Sequence, residues 1–186
     1  MSASVLRRIY HLRGLLASPP VIFAMFCTYG ETEEDWLIWP LGGLLVALGV
    51  AMRVWAQEHI RFRLRMGRHL ATTGPYALVR NPLYIGNTLM CLGAVVASEL
   101  LWMVPVTLVW CAVVYSLVVR QEEARLLRKY GEPYQQYLAA VPRWFPRTQR
   151  GRNLALITDS LRASLLVELP CLLILLPFVL KEILPR

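Results

Sequence analysis

Two adjacent carboxylates, Glu122 and Glu123, stand where a long apolar run gives way to basic residues. Upstream, the stretch GPYALVRNPLYIG at 74–86 crowds two glycines, two prolines, two tyrosines, an arginine and an asparagine into one short loop. Paired carboxylates emerging from a membrane helix need a partner or a task. As surface groups they would form ion pairs three positions apart, Glu122 with Arg125 and Glu123 with Arg120, of little net energy. As site groups they can accept hydrogen bonds from hydroxyl or ammonium donors, or take a proton from an amine. In the upstream stretch, Pro75 and Pro82 fix their own φ, while Gly74 and Gly86 permit turns or close approach by backbone or ligand. Alone, that stretch reads as punctuation between two elements, with Tyr76 and Tyr84 as interfacial anchors. Its pairing with the downstream glutamates turns the reading towards a site.

The elements that must position these residues follow from hydropathy and charge. The chain has 186 residues, 56% of them hydrophobic, and a net charge of +8. Apolar runs cover 15–29, 37–56, 83–119 and 164–180. A spanning helix needs about 20 residues, so the third run is long enough for two passes, turned at Ser98 and Glu99. The expected fold is all-α: a polytopic membrane protein with about five transmembrane helices. It would form one membrane-embedded domain over 1–186, with its motif-bearing core at 57–147 and an additional C-terminal helix at 161–180. Arg7, Arg8 and Arg13 precede the first run, an acidic loop at 31–35 follows it, and arginines return at 61–80 and 120–162. By the positive-inside rule the N-terminus, the Arg61 loop and the 120–162 segment are cytoplasmic, and the C-terminus lies outside. Both motif segments then share one membrane face. Arg80 and the glutamates, at the two ends of a helical hairpin, are expected to converge there within one pocket on the cytoplasmic side. Val5, Leu6, Ile9, Leu12 and Leu16 recur at helical spacing, as an interfacial helix would.

Other function classes find little support. The arginines cluster beside apolar spans rather than on a soluble face with stacking aromatics, which argues against nucleic acid. Cys27, Cys91, Cys111 and Cys171 are scattered one per apolar segment without a CxxC, and His11, His59 and His69 lack metal-ligand spacing, so neither a disulfide framework nor a metal site is expected. Neither a GxGxxG nor a P-loop is present, so a cofactor would be held by other means.

Taken in order, Gly74-Pro75-Tyr76, Arg80-Asn81-Pro82 with Tyr84 and Gly86, Glu122-Glu123 with Leu126, and the Tyr130–Tyr134 segment with Tyr137 and Pro146 resemble one family. It is the isoprenylcysteine carboxyl methyltransferase and phospholipid N-methyltransferase superfamily, matched over roughly His69 to Arg147. The eukaryotic isoprenylcysteine enzymes usually carry histidine where this chain has Asn81, and asparagine is familiar in bacterial relatives. The resemblance therefore implies a methyltransferase of the bacterial inner membrane. It also implies S-adenosylmethionine as donor, leaving S-adenosylhomocysteine. That donor carries no phosphate, which agrees with the missing phosphate cradle. Its ribose diol or ammonium wants a carboxylate, which Glu122 or Glu123 can supply. Its carboxylate wants a cation or backbone amides, for which His69, Arg80 and the turn near Gly74 are candidates. The cofactor wall so implied runs from His69 and Leu70 through Gly74, Pro75, Tyr76, Arg80, Asn81, Pro82 and Tyr84 to the two glutamates.

The acceptor is expected to be a lipid-like molecule entering from the bilayer, because the motif residues lie at helix ends rather than in a soluble domain. A carboxylate acceptor would be held by Arg80 or Arg143, whereas an amine would need a base such as a glutamate. Leu89, Leu92 and Trp110 are candidates for contact with the tail. Glu168, inside the last apolar run, fits a substrate role or contact with an arginine. A non-catalytic membrane scaffold, or an NADPH-dependent reductase resembling sterol reductases, are the competing readings, and the oligomeric state is left open.

Overall fold

A computed structural model describes residues 12–30, 35–65, 67, 70–146, 165, 166, 168 and 176. The expected interfacial helix before residue 12, His69 and nearly all of the expected C-terminal helix lie outside the described residues. The first apolar run, expected as one span over 15–29, folds as two short helices, α1 (Arg13–Ala17) and α2 (Pro19–Phe26). Pro19 and Pro20 have no N–H for the carbonyls of Leu15 and Leu16, which stand four residues earlier. Other donors replace them: the Ser18 hydroxyl donates to Leu15 O at 2.9 Å and the Trp110 indole N–H to Leu16 O at 2.8 Å. Trp110, expected to meet a lipid tail, thus ties α1 to a neighbouring helix.

The remaining described elements are α3 (Asp35–Arg65), α4 (Pro75–Leu78), α5 (Pro82–Ala97), α6 (Met103–Tyr130) and α7 (Glu132–Ala140). No strand occurs among the described residues. Among the described residues two helices are long and apolar enough to cross a membrane, Trp36–Phe62 and Met103–Tyr130. At 1.5 Å per residue α3 reaches about 46 Å, whereas α5 reaches only about 24 Å, short of a hydrocarbon core of about 30 Å. Of the about five transmembrane helices expected from hydropathy, the described residues show two of membrane-crossing length, and the last expected one lies outside them. Leu41, Leu44 and Leu48 on α3 and Val106, Val109 and Val113 on α6 form exposed stripes at helical spacing, as a lipid-facing surface would.

Glycine sets the packing of α3 against α5. A Cβ on Gly42 would lie 2.9 Å from Gly93 O, and one on Gly93 would lie 2.7 Å from Gly42 O. Seven residues further along, a Cβ on Gly49 would lie 2.7 Å from Gly86 O, and one on Gly86 2.8 Å from Gly49 O. The two pairs run in opposite chain directions, so the helices are antiparallel, backbone against backbone. This is the small-residue seam by which apolar helices associate where no hydrophobic difference drives them together.

The polar pair Ser98–Glu99 does turn the chain between α5 and α6, with Glu99 at φ 65 and the Ser98 hydroxyl on Val95 O at 2.7 Å. From there α6 runs without a break past Glu122 and Glu123 to Tyr130. Gly131, at φ 60 and ψ −131, reverses it into α7, a backbone geometry that only glycine takes without strain. Beyond α7 the chain returns beneath the start of α5, where Arg80 N donates to Pro142 O at 2.9 Å.

Candidate functional site

The stretch 74–86 is built by its helix stops. Gly74, at φ 61, precedes Pro75 at the first position of α4, and Asn81 precedes Pro82 at the first position of α5. Asn81 makes no side-chain cap bond to its own helix. Its amide instead donates to Arg143 O at 3.3 Å, a second stitch beside that from Arg80 N to Pro142 O. These two bonds bring Arg80 and Arg143 to the same carboxylate. Glu123 receives Arg80 Nη1 at 3.3 Å and Arg143 Nη2 at 2.5 Å, with Arg143 Nε at 3.2 Å. The expected convergence of Arg80 with the glutamates is therefore present as a direct ion pair. The alternative in which Glu123 merely serves Arg120 on a surface gives way to a half-buried three-member cluster.

Glu122 has a different setting. Tyr84, one turn into α5, donates its hydroxyl to Glu122 Oε2 at 2.8 Å, and its ring rests on Tyr115 of α6 at 5.1 Å. Among the described residues no cation lies within ion-pair distance of Glu122. Gly74 supports the wall from behind. The fully buried His59 places Nδ1 3.0 Å from Trp55 O, and a Cβ at Gly74 would fall within its ring. Only glycine fits there, by both space and backbone sign.

A cavity of about 420 Å³ opens between these groups. It is lined by Leu70, Tyr76, Arg80, Asn81, Pro82, Tyr84, Glu122 and Glu123 among the residues expected from sequence. Gly74 and Pro75 are buried behind that surface, and Arg143 is absent from it, acting on the cavity through Glu123. Leu126, Tyr134 and Tyr137 close one side, and the Tyr137 hydroxyl donates to Tyr76 O at 2.8 Å. Burial, with Tyr137, Glu122 and Tyr84 nearby, holds the Tyr76 hydroxyl well above its ordinary range. Burial and Glu123, opposed by Arg80, push Tyr134 up to about 12. Both phenols are neutral donors at ordinary pH.

Sequence reasoning passed over Arg53, Gln57 and Asn87, which line the same cavity. Arg53 donates from Nε to Glu168 Oε2 at 2.7 Å and from Nη1 to Asn87 Oδ1, while Gln57 donates to Glu168 Oε1. A signal was available, because an arginine inside an apolar run marks a functional position by default. For Glu168, contact with an arginine is what the structure shows.

The profile of the family described as phospholipid methyltransferase matches residues 36–133, from the start of α3 to the start of α7. The chain belongs to the phospholipid methyltransferase family. The family match thus takes in Arg53, Arg80, Asn81, Tyr84 and both glutamates, and stops short of Tyr137, Arg143 and Glu168. Curated relatives include the cobalt-zinc-cadmium resistance protein CzcN of Cupriavidus metallidurans, 35% identical over 68% of this chain and 59% of that protein. Another is the nickel-cobalt-cadmium resistance protein NccN of Alcaligenes xylosoxydans xylosoxydans, 28% identical over 72% of this chain and 62% of that protein. The chain therefore spans about three-fifths of the length of these relatives. No solved structure gives a significant match. Among the described residues no group of His, Cys, Asp and Glu is placed to hold a metal ion.

Proposed function

We propose that the protein is an integral membrane methyltransferase that uses S-adenosylmethionine to methylate a lipid-like acceptor, its 1–186 chain acting as one unit with the cavity at the cytoplasmic face of a bacterial inner membrane. The observation that carries this reading is Glu122: a cavity-lining carboxylate oriented by Tyr84, with no cation within ion-pair distance among the described residues. Such a carboxylate suits a cationic ligand. The donor fits the residues present. The cavity falls within the roughly 300–1,000 Å³ usual for small-molecule sites. Glu122 would hold the donor's ammonium or ribose hydroxyls. Among the described residues the buried Nε of Arg80 has no partner, and it would serve the donor's carboxylate. Leu70, Leu126, Tyr134 and Tyr137 offer an apolar and aromatic wall for its base. When bound, the donor supplies an electrophilic methyl group for in-line displacement.

The protein's own part is alignment and exclusion of water. Glu123, clamped by Arg80 and Arg143, fixes the stretch 79–82 against α6, so the cavity wall is rigid before a ligand arrives. Each arginine that lines the cavity is countered by a carboxylate, Arg53 by Glu168 and Arg80 by Glu123, which Arg143 also holds from behind. That arrangement suits a donor without phosphates better than a nicotinamide dinucleotide. The metal-resistance names of the relatives fit a role exercised through a modified membrane molecule.

S-adenosylhomocysteine is expected to raise the melting temperature of the purified protein in detergent by several degrees at saturating concentration, as linkage requires. Labelled S-adenosylmethionine with total membrane lipid should place label in an extractable lipid. No thermal shift together with no transfer would return the protein to the scaffold reading.

A further inference from the structure

Arg53, Gln57, Ile60 and Leu64 line the cavity along one face of α3, spaced four, three and four residues apart. At 1.5 Å per residue this face runs for about 16 Å. The wall is graded: Ile60 and Leu64 lie towards the C-terminal end of α3, and Arg53 with Gln57 and Asn87 lies towards the apolar middle of the helix pair. Arg53 with Asn87 is thus a polar end set against the apolar middle of the helix pair, where a charged side chain marks a functional position.

We propose that Arg53 receives the head of the methyl acceptor, that this head carries negatively charged oxygen, and that Glu168 is the residue that positions Arg53. The inference rests on the methyltransferase reading above and assigns its acceptor end. Arg53 lies on the cavity wall with 17% of its side chain exposed, whereas Glu168 is 1% exposed and absent from the lining. The carboxylate stands behind the guanidinium and holds it by Nε, while Asn87 holds Nη1 from the α5 side. Gln57 fixes the second oxygen of Glu168. A guanidinium fork anchored on two sides is preorganised for planar oxygen ligands.

A purely structural role explains this cluster less well. The α3–α5 seam is already closed by the glycine pairs, and a buried ion pair is a poor source of stability compared with apolar packing. Charge selects the head. Arg53 and Arg80 balance Glu122 and Glu123, so the described charges that line the wall sum to zero. Because the donor brings a net positive charge, an anionic head completes neutrality in a low-dielectric site, whereas an ammonium head would leave two positive charges together. Glu168 lies beyond the family-matched residues 36–133.

The test uses the full chain in non-ionic detergent and three single-tailed probes of equal chain length: N-palmitoylglycine, hexadecylamine and hexadecanol. Wild type should be stabilised most by N-palmitoylglycine. That preference should vanish in R53Q and fall at least tenfold in apparent affinity in R53K and E168Q, with the S-adenosylhomocysteine shift kept in all three. Equal stabilisation by the three probes, or preference for the amine, overturns the anionic head. An N-palmitoylglycine shift unchanged in a folded R53K overturns the role of Arg53, and one unchanged in E168Q overturns that of Glu168. The amphiphile shifts are read without the donor, so they remain interpretable if the S-adenosylhomocysteine shift is absent and the methyltransferase reading fails.

Discussion

At the scale of single residues, the site divides its two glutamates by what surrounds them. Glu123 is held by two arginines and acts on the fold of the wall, whereas Glu122 receives the Tyr84 hydroxyl, has no cation within ion-pair distance among the described residues, and lines the cavity. Replacing Glu122 with Gln should then weaken S-adenosylhomocysteine by about 10- to 100-fold, as expected when a hydrogen bond between a charged pair is lost. Tyr84→Phe should cost less, roughly three- to tenfold, since it removes the group that orients the carboxylate and leaves the charge. Calorimetric titration measures both, and unchanged affinity in Glu122→Gln would move the donor elsewhere in the cavity. The stretch 74–86 was legible as a site because proline and glycine report backbone needs directly. Which glutamate does what was not, because neighbours in sequence become distinct only through Tyr84 and Arg143, about 40 and 20 residues away.

Among the elements, the antiparallel seam of α3 and α5 places Arg53 beside Asn87 and sets the width of the cavity. A side chain at Gly93 would meet Gly42 O at 2.7 Å and Val46 N at 2.8 Å, both fixed backbone atoms. Gly93→Leu is therefore expected to destabilise the protein by about 1–3 kcal/mol or more and to abolish the S-adenosylhomocysteine shift. A methyl group on Gly43 would meet nothing within 4 Å, so Gly43→Ala should be neutral or mildly stabilising. Denaturant titration of the two variants compares them, and equal stability would mean that the seam is looser than backbone contact. The hairpin of α5 and α6 could be read from one polar pair in a long apolar run. The division of the first run into α1 and α2 could not be read from hydropathy, because it depends on where carbonyls freed by Pro19 and Pro20 find donors, one of them Trp110.

For the whole molecule, the buried phenols make stability sensitive to alkali. Tyr134 is raised from 10.0 to about 12, and its neutral form is the one the fold favours. That contribution, roughly 2–3 kcal/mol, is complete below about pH 10 and is lost as pH rises towards about 12. Melting temperature should fall across that interval while phenolate absorbance from the buried class rises. Phenolate forming near pH 10 with no loss of stability would refute the assignment. The membrane class and much of the cavity wall, from Tyr76 to Tyr84 and at Glu122 and Glu123, were readable from the 186 residues. The place of Arg53 in that wall was not, because it acquires its setting from Asn87 and from Glu168, which stands 115 residues later. That interval has a consequence for biosynthesis. Arg53 emerges from the ribosome inside an apolar segment long before its counter-ion exists, and Asn87, 34 residues on, is translated well ahead of Glu168. A chain interrupted before residue 168 would present the membrane insertion machinery with an arginine whose carboxylate never arrives.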